Sequence, residues 1–182
     1  KRLRDTTRMK IVIKGILAHE DATLAADAGM DAIIVSNHGA RSEDSGRSTI
    51  DALPEIIEAV RGRMPILVDS GFRRGTDIVK ALALGAAGVC VGRPYIWGLG
   101  AFGQPGVERV LELLRIELLA AMQQVGAPTI KHLVPAMVRR ALARISHKFS
   151  TAVEDPGPRS GTKLKRGRNT SDVKTCIPAT IH

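Results

Sequence analysis

A histidine and an arginine, His38 and Arg41, stand three residues apart directly after a short apolar run. An imidazole takes up and releases a proton near neutral pH, so His38 is a candidate general base. A guanidinium holds a carboxylate through two parallel hydrogen bonds, which makes Arg41 a candidate clamp for an acidic substrate. The competing interpretation is a loop histidine beside a solvated arginine. Because the pair lies at the end of a strand, where ligand sites of βα folds are found, the catalytic and the non-catalytic interpretation are about equally favoured.

Two further clusters combine glycine with arginine. In the segment from Asp69 to Gly75, glycines let backbone N–H groups approach an anion at the start of a helix, and two arginines add positive charge. The alternative is a helix N-terminus with ordinary surface arginines. Gly92-Arg93 again places a backbone amide beside a cation, at the end of another apolar run. Together the two clusters predict a phosphate site between the last two strands.

The remaining polar candidates are isolated. Lys14 ends the first apolar run, where a cation needs an anionic or electron-rich partner. The other four histidines share no spacing with cysteines or carboxylates, so we predict no metal site. Cys90 and Cys176 are far apart in the chain, and this cysteine usage favours a cytoplasmic location.

The elements that must position these residues repeat along the chain. Apolar runs predict strands over 11–13, 32–35, 66–68 and 89–91, and amphipathic patterns predict helices over 21–29, 51–60 and 76–84. Gly29 to Gly85 and Val35 to Val91 are both offset by 56 positions (85 − 29 and 91 − 35). Such tandem βαβ units predict an α/β fold with a parallel sheet, namely half of a (β/α)₈ barrel. A small doubly wound sheet is the runner-up, but its glycine-rich dinucleotide turn is missing.

The end of the chain differs from the rest. A long amphipathic helix is predicted over 106–125 and a shorter one over about 130–143, and we assign residues 1–149 to the folded domain. Its predicted inward face consists of Val107, Val110, Leu111, Leu114, Leu118 and Met122. Residues 139–182 carry 10 Lys/Arg and 3 Asp/Glu of the chain's 27 and 18, and 150–182 is interpreted as a disordered basic tail. Because the net charge of +9 lies mainly in residues 139–182, without interleaved aromatic residues, no nucleic-acid binding is predicted. No apolar run approaches the roughly 20 residues of a membrane span.

These clusters, in this order, resemble the FMN-dependent α-hydroxy acid dehydrogenase family, which includes glycolate oxidase, lactate oxidase, lactate monooxygenase and flavin-linked lactate dehydrogenase. The resemblance covers about residues 8–140 and corresponds to the C-terminal half of the family's barrel, its last four βα units. The matching stretches are Val12-Ile13-Lys14-Gly15, Val35-Ser36-Asn37-His38-Gly39-Ala40-Arg41, Asp69-Ser70-Gly71-Phe72-Arg73-Arg74-Gly75-Thr76-Asp77, Ala81-Leu82-Ala83-Leu84-Gly85-Ala86 and Val91-Gly92-Arg93-Pro94.

The resemblance implies FMN as the cofactor and the two-electron oxidation of a lactate- or glycolate-like L-α-hydroxy acid to the α-keto acid. Lys14 would lie near the N1/O2 edge of the flavin, and Ser36 would bond the flavin or its ribityl chain. His38 would take a proton from the substrate, and Arg41 would bind its carboxylate. Six residues would hold the ribityl chain and phosphate: Asp69, Ser70, Gly71, Arg73, Gly92 and Arg93. An FMN-dependent isomerase would have no need of the histidine and arginine pair.

Departures from the family pattern limit these implications. The Asp69-Ser70-Gly71 and Arg93-Pro94-Tyr95 variants favour the lactate 2-monooxygenase-like side of the family, whereas segment 42–47 departs from the commoner form and affects substrate preference. The family's substrate-binding tyrosines and the aspartate that orients the histidine would come from four other βα units; the single tyrosine here is Tyr95. The alternative function is therefore a truncated, non-catalytic half-barrel that retains an FMN or phosphate site. A full-length member would be a homo-oligomer.

Overall fold

The computed structural model describes residues 2–42 and 44–139. Four parallel strands form one sheet in the order β1-β2-β3-β4. The strands are β1 (Val12–Ile16), β2 (Ala32–Val35), β3 (Ile66–Val68) and β4 (Gly88–Val89). The helices are α1 (Arg2–Thr6), α2 (His19–Asp27), α3 (Thr49–Val60), α4 (Gly75–Ala83), α5 (Arg93–Phe102) and α6 (Gln104–Gln124). This alternation confirms the predicted α/β fold and the partial barrel of four βα units.

The core lies where the sheet meets the helices. In the central strand β2, Ile33 and Val35 are fully buried, as expected for a parallel strand covered on both faces. Leu53 and Ile56 of α3 are buried against this strand, and their spacing of three residues places them on one helical face. The helix begins at Ser48, whose hydroxyl accepts a 3.2 Å hydrogen bond from the Asp51 N–H.

Strand β1 is irregular at Gly15. Its pairing register with β2 shifts between Lys14 and Ile16, and Gly15 has a φ of 101°. A β-bulge of this kind redirects neighbouring side chains. A β-carbon added at Gly15 would lie 3.1 Å from Cε1 of His38, so the missing side chain leaves room for that imidazole.

The C-terminal elements depart from prediction in four places. Strand β4 ends at Val89, two residues before the predicted end at Val91. The segment after it, for which no helix was predicted, forms helix α5. Leu111, expected to face inward on α6, is 50% exposed. Two short 3₁₀ turns, Ile130–His132 and Pro135–Met137, replace the described part of the helix predicted over 130–143, because Pro135 has no N–H to continue one.

Helices α5 and α6 touch through glycine. A β-carbon on Gly106 would lie 1.9 Å from the Gly98 carbonyl oxygen, so the two backbones are in direct contact. The Gly106→Ala substitution is therefore expected to reduce the free energy of unfolding by at least about 1–3 kcal/mol, because the helices must separate. A lower midpoint in urea denaturation would show it. The matched control is Gly100→Ala, whose added carbon meets no atom within 4 Å and which should be neutral or stabilising; equal midpoints for the two variants would contradict the expectation.

The predicted boundary between residues 149 and 150, with the basic tail beyond it, lies outside the described residues. Within them, no helix is both long enough and apolar enough to cross a membrane.

Candidate active site

The carboxyl ends of the four strands surround a cavity of about 450 Å³. This volume is in the range of small-molecule sites. Nine of the ten residues singled out from the sequence line it: Lys14, His38, Arg41, Asp69, Ser70, Gly71, Arg73, Gly92 and Arg93. The tenth, Ser36, is buried and does not line the cavity, but its hydroxyl accepts a hydrogen bond from the lining residue Lys14.

Lys14, Ser36 and Asp69 form one polar network across three strands. Lys14 Nζ donates a 2.7 Å hydrogen bond to Ser36 Oγ and lies 3.0 Å from Asp69 Oδ2. Burial acts to raise the pKa of Asp69, but hydrogen bonds from Ser36, Ser70 and Lys14 outweigh it and leave the pKa below its ordinary value. Asp69 is thus a carboxylate at neutral pH and supplies the anionic partner that Lys14 was expected to need.

The loop that carries His38 bends sharply. His38 and Ala40 have φ values of 55° and 60°, in the left-handed region that non-glycine residues seldom occupy. The Asn37 side chain stabilises this turn, since its Oδ1 accepts hydrogen bonds from the N–H groups of Gly39 (3.1 Å) and Ala40 (3.0 Å). As a result, the side chains of His38 and Arg41 stay exposed at the cavity while Asn37 is buried.

Ser70 connects the loops after β2 and β3. Its hydroxyl donates to Asp69 Oδ1 (2.7 Å) and accepts from the Gly39 N–H (3.1 Å). Its φ of 73° is again left-handed, so the position suits glycine and yet holds a side chain that makes both bonds. Thr49 adds a further tie, donating a 2.6 Å hydrogen bond to the Asp69 carbonyl oxygen.

Two guanidiniums, those of Arg73 and Arg93, line the cavity close enough to repel each other. Burial, and then repulsion from Arg93, lower the pKa of Arg73. Arg73 also stacks over the Trp97 ring at 5.0 Å, a cation–π contact, and Arg93 Nη2 donates to the Gly39 carbonyl oxygen at 3.1 Å. Because the two positive guanidiniums repel each other beside an open cavity, a bound anion would stabilise their arrangement.

The start of α4 is not part of that site, contrary to the sequence-based expectation. Glu117 of α6 accepts hydrogen bonds from the Gly75 N–H (2.9 Å) and from Arg74 Nη1 (2.8 Å). Asp77 accepts from the N–H groups of Arg73 and Arg74, both at 3.0 Å. Two carboxylates therefore already satisfy the backbone N–H groups at the start of α4. Of the two adjacent arginines, Arg73 lines the cavity and Arg74 lies outside it.

Several cavity residues carried no signal in the sequence. Phe72, Cys90 and Ile96 line the cavity, but apolar side chains and a lone cysteine gave no reason to select them from the sequence. Burial, followed by the nearby Asp69 charge, raises the pKa of the Cys90 thiol, which keeps it protonated at neutral pH. Asn37 was visible only as part of the Ser-Asn-His-Gly run, and the signal for its role was the tendency of Asn side chains to accept hydrogen bonds from backbone N–H groups two residues on.

Comparison with known proteins gives a consistent result. A family model described as FMN-dependent dehydrogenase matches residues 1–140. A peroxisomal (S)-2-hydroxyacid oxidase of Arabidopsis thaliana is 48% identical over 143 residues, which is 79% of this chain and 39% of that relative. An L-lactate oxidase of Nostoc sp. is 48% identical over 129 residues, 71% of this chain and 35% of the relative. A solved structure, a mandelate oxidase mutant with a monooxide FMN adduct, superposes with a TM-score of 0.71 at 47% identity and covers 74% of this chain and 43% of that one.

The chain thus spans about two fifths of the length of the relatives it matches. These relatives oxidise 2-hydroxy acids or lactate by their names, and the mandelate oxidase structure contains an FMN adduct. With the match over 140 residues, the chain belongs to the FMN-dependent dehydrogenase family, its four βα units are part of that family's barrel, and its cofactor is FMN.

Proposed function

We propose that the chain provides the catalytic base, the substrate clamp and the FMN phosphate site of an enzyme that oxidises an L-α-hydroxy acid to the α-keto acid. The observation that carries the proposal is the shared cavity: His38 and Arg41 line it together with Arg73 and Arg93. A base and a carboxylate clamp thereby face the same space as an anion site. General oxidation of 2-hydroxy acids agrees with the names of the relatives.

The donor set fits the phosphate end of FMN. Arg73 and Arg93 offer two guanidiniums, which bind phosphate through charge-assisted hydrogen bonds. At Gly71 and Gly92, an added β-carbon would meet no atom within 4 Å, so both backbones are open towards the cavity they line. Asp69 and Ser70 would hold the ribityl hydroxyls, since a carboxylate and a hydroxyl both accept their hydrogen bonds.

The donor set also fits the isoalloxazine end. Lys14 keeps its ammonium beside Ser36 and Asp69 and would face the N1/O2 edge, where a cation stabilises negative charge. When bound, FMN supplies the two-electron acceptor for the reaction.

The substrate end consists of His38 and Arg41. Arg41 would hold the carboxylate of the hydroxy acid by two hydrogen bonds and so orient the adjacent carbon. A ring nitrogen of His38 would accept a proton from the oriented substrate. Gly15 leaves the imidazole room to sit against the strand, and the turn held by Asn37 keeps both side chains at the cavity.

Finer assignments remain predictions. These are the lactate- or glycolate-like substrate, the lactate 2-monooxygenase-like outcome, a cytoplasmic location and assembly into a homo-oligomer. The activity of the whole protein is likewise part of the proposal, because the relatives are more than twice as long as the matched region.

The proposal is tested by absorbance. We expect the 182-residue chain, mixed with FMN and dialysed, to retain little of the flavin absorbance, and the chain joined to the four other βα units of a relative to retain it fully. Lactate or glycolate added without oxygen should then bleach that absorbance. A joined protein that retains the flavin and never bleaches with any 2-hydroxy acid would instead support the non-catalytic alternative. Tight, stoichiometric FMN in the 182-residue chain would show that four units suffice for binding.

A further inference from the structure

Near the end of the connection between β2 and α3, the side chain of Arg47 contacts two other parts of the fold. Its Nη1 donates a 2.8 Å hydrogen bond to Glu55 Oε1 of α3, and its Nη2 lies 2.8 Å from Glu55 Oε2 in an ion pair. Its Nη1 also donates to the carbonyl oxygen of Leu17, directly after β1, at 3.2 Å. The guanidinium thus joins the loops after β1 and β2 to the middle of α3.

The backbone of Arg47 extends these contacts towards the candidate active site. Its carbonyl oxygen accepts a 3.2 Å hydrogen bond from Asn37 Nδ2. The other end of the same amide, Oδ1, accepts from the N–H groups of Gly39 and Ala40. A continuous series of hydrogen bonds therefore runs from Glu55 through Arg47 and Asn37 to the turn that carries His38.

We propose that Arg47 is a positioning residue that fixes the left-handed turn at His38, and with it the placement of His38 and Arg41 at the cavity. The roles of those two residues rest on the proposed function; the structural effect of Arg47 does not. Arg47 lies within segment 42–47, whose form departs from the commoner family pattern.

An ordinary surface ion pair would not have these properties. Exposed pairs contribute little because two long side chains must be held in one geometry. Here both terminal nitrogens of the planar Arg47 guanidinium contact the Glu55 carboxylate, and the hydrogen bond to the Leu17 carbonyl oxygen fixes the orientation of the guanidinium. The hydrogen bond from Arg47 holds the pKa of Glu55 below its usual range. Moreover, Asn37 is only 9% exposed, so its amide needs the partners that Arg47 and the turn provide.

The turn has a reason to need an anchor. His38 and Ala40 both occupy left-handed backbone conformations without being glycine. Such conformations persist only where surrounding contacts impose them. Removing one end of the hydrogen-bond series should therefore release the turn towards ordinary backbone angles, and the amides of Gly39 and Ala40 should exchange with solvent more often.

The test is amide hydrogen exchange measured by NMR on the full chain. In Arg47→Ala, exchange at Gly39 and Ala40 should accelerate about tenfold or more, while amides of β2 and β3 keep their rates. Glu55→Ala should also accelerate exchange at these amides, but by less than Arg47→Ala because the bond to the Leu17 carbonyl remains, and the double variant should not exceed Arg47→Ala. Arg47→Lys, which loses the fork but keeps a charge, should fall between.

A matched control removes a similar fork elsewhere. Arg115 contacts Glu112 on α6 with bonds of 2.9 and 3.0 Å, so Arg115→Ala deletes a forked pair far from the turn in sequence. It should leave exchange at Gly39 and Ala40 unchanged. Unchanged rates at these amides in Arg47→Ala would overturn the proposal, as would equal acceleration in Arg115→Ala. If Arg47→Ala does not fold, Glu55→Gln replaces it, because this substitution weakens the ion pair and keeps a hydrogen-bond acceptor. Exchange at Gly39 and Ala40 should then accelerate in Glu55→Gln, and unchanged rates would overturn the proposal.

Activity gives an independent second readout. In the FMN-loaded protein with a complete barrel, Arg47→Ala should raise the KM for the hydroxy acid and lower kcat, and Arg47→Lys should restore part of both. If the Gly39 and Ala40 amides lose protection in Arg47→Ala but the unsubstituted protein turns over no hydroxy acid, the proposed function is contradicted and the positioning role of Arg47 is still supported.

Discussion

The His38→Ala substitution is expected to lower turnover of a 2-hydroxy acid by about 10²- to 10⁴-fold while the bound flavin keeps its absorbance. The side chain lines the cavity together with Arg41, and no other imidazole among the described residues does so. Alanine removes the proton acceptor and leaves the phosphate end of the site intact. Stopped-flow measurement of flavin bleaching, in the protein with a complete barrel, separates this chemical step from later ones.

A second histidine provides the control. His19, at the start of α2, is half-exposed and lies outside the cavity-lining set, where its Nδ1 faces Glu20 at 3.3 Å. His19→Ala should therefore bleach at the original rate. Full-rate bleaching in His38→Ala would mean that another group takes the proton, and loss of flavin from that variant would assign His38 to cofactor binding.

The second large effect concerns the phosphate. Arg93→Ala should weaken FMN binding by about 10- to 150-fold, the equivalent of a charge-assisted hydrogen bond of roughly 1.5–3 kcal/mol. Arg73→Ala should act similarly. Because both guanidiniums are assigned to the phosphate, the affinity for riboflavin, which lacks that group, should change little. Fluorescence titration with both flavins, again in the protein with a complete barrel, measures the two affinities directly.

Arg74, next to Arg73, provides a control that tests whether the position of an arginine, and not only its charge, determines FMN affinity. Arg74 carries the same charge one residue from Arg73 but pairs with Glu117 outside the cavity. Arg74→Ala should change FMN affinity less than twofold. Equal losses for FMN and riboflavin in Arg93→Ala would show that this arginine supports the loop, through its bond to the Gly39 carbonyl oxygen, and not the phosphate.

Much of this arrangement was predictable because strand ends carry local signals. The bounds of β2 and β3 coincide with the predicted runs 32–35 and 66–68, since both are short apolar runs ended by polar residues. Nine of ten selected residues share one cavity for the same reason: parallel strands bring their carboxyl ends to one edge.

What escaped prediction depends on contacts between distant residues. Helix α5 contains Gly98 and Gly100, which lower helix propensity, and Gly98 is favourable only because α6 lies against it. The capping of α4 by Glu117 joins positions 42 residues apart. Likewise, nothing local indicates that the Ser70 hydroxyl bridges to Gly39, or that Arg47 meets the Leu17 carbonyl.

The clustering of all ten candidate residues on four consecutive βα units has an evolutionary consequence. Recombination at the boundaries of these units would transfer the proposed base, the carboxylate clamp and the phosphate site together, so a hybrid would keep the relative placement of these groups. The remaining units would supply the residues expected to orient the histidine and would shape the pocket around the substrate's side chain. Hybrids assembled from different relatives should accordingly differ in which hydroxy acid they accept, and share the way they oxidise it.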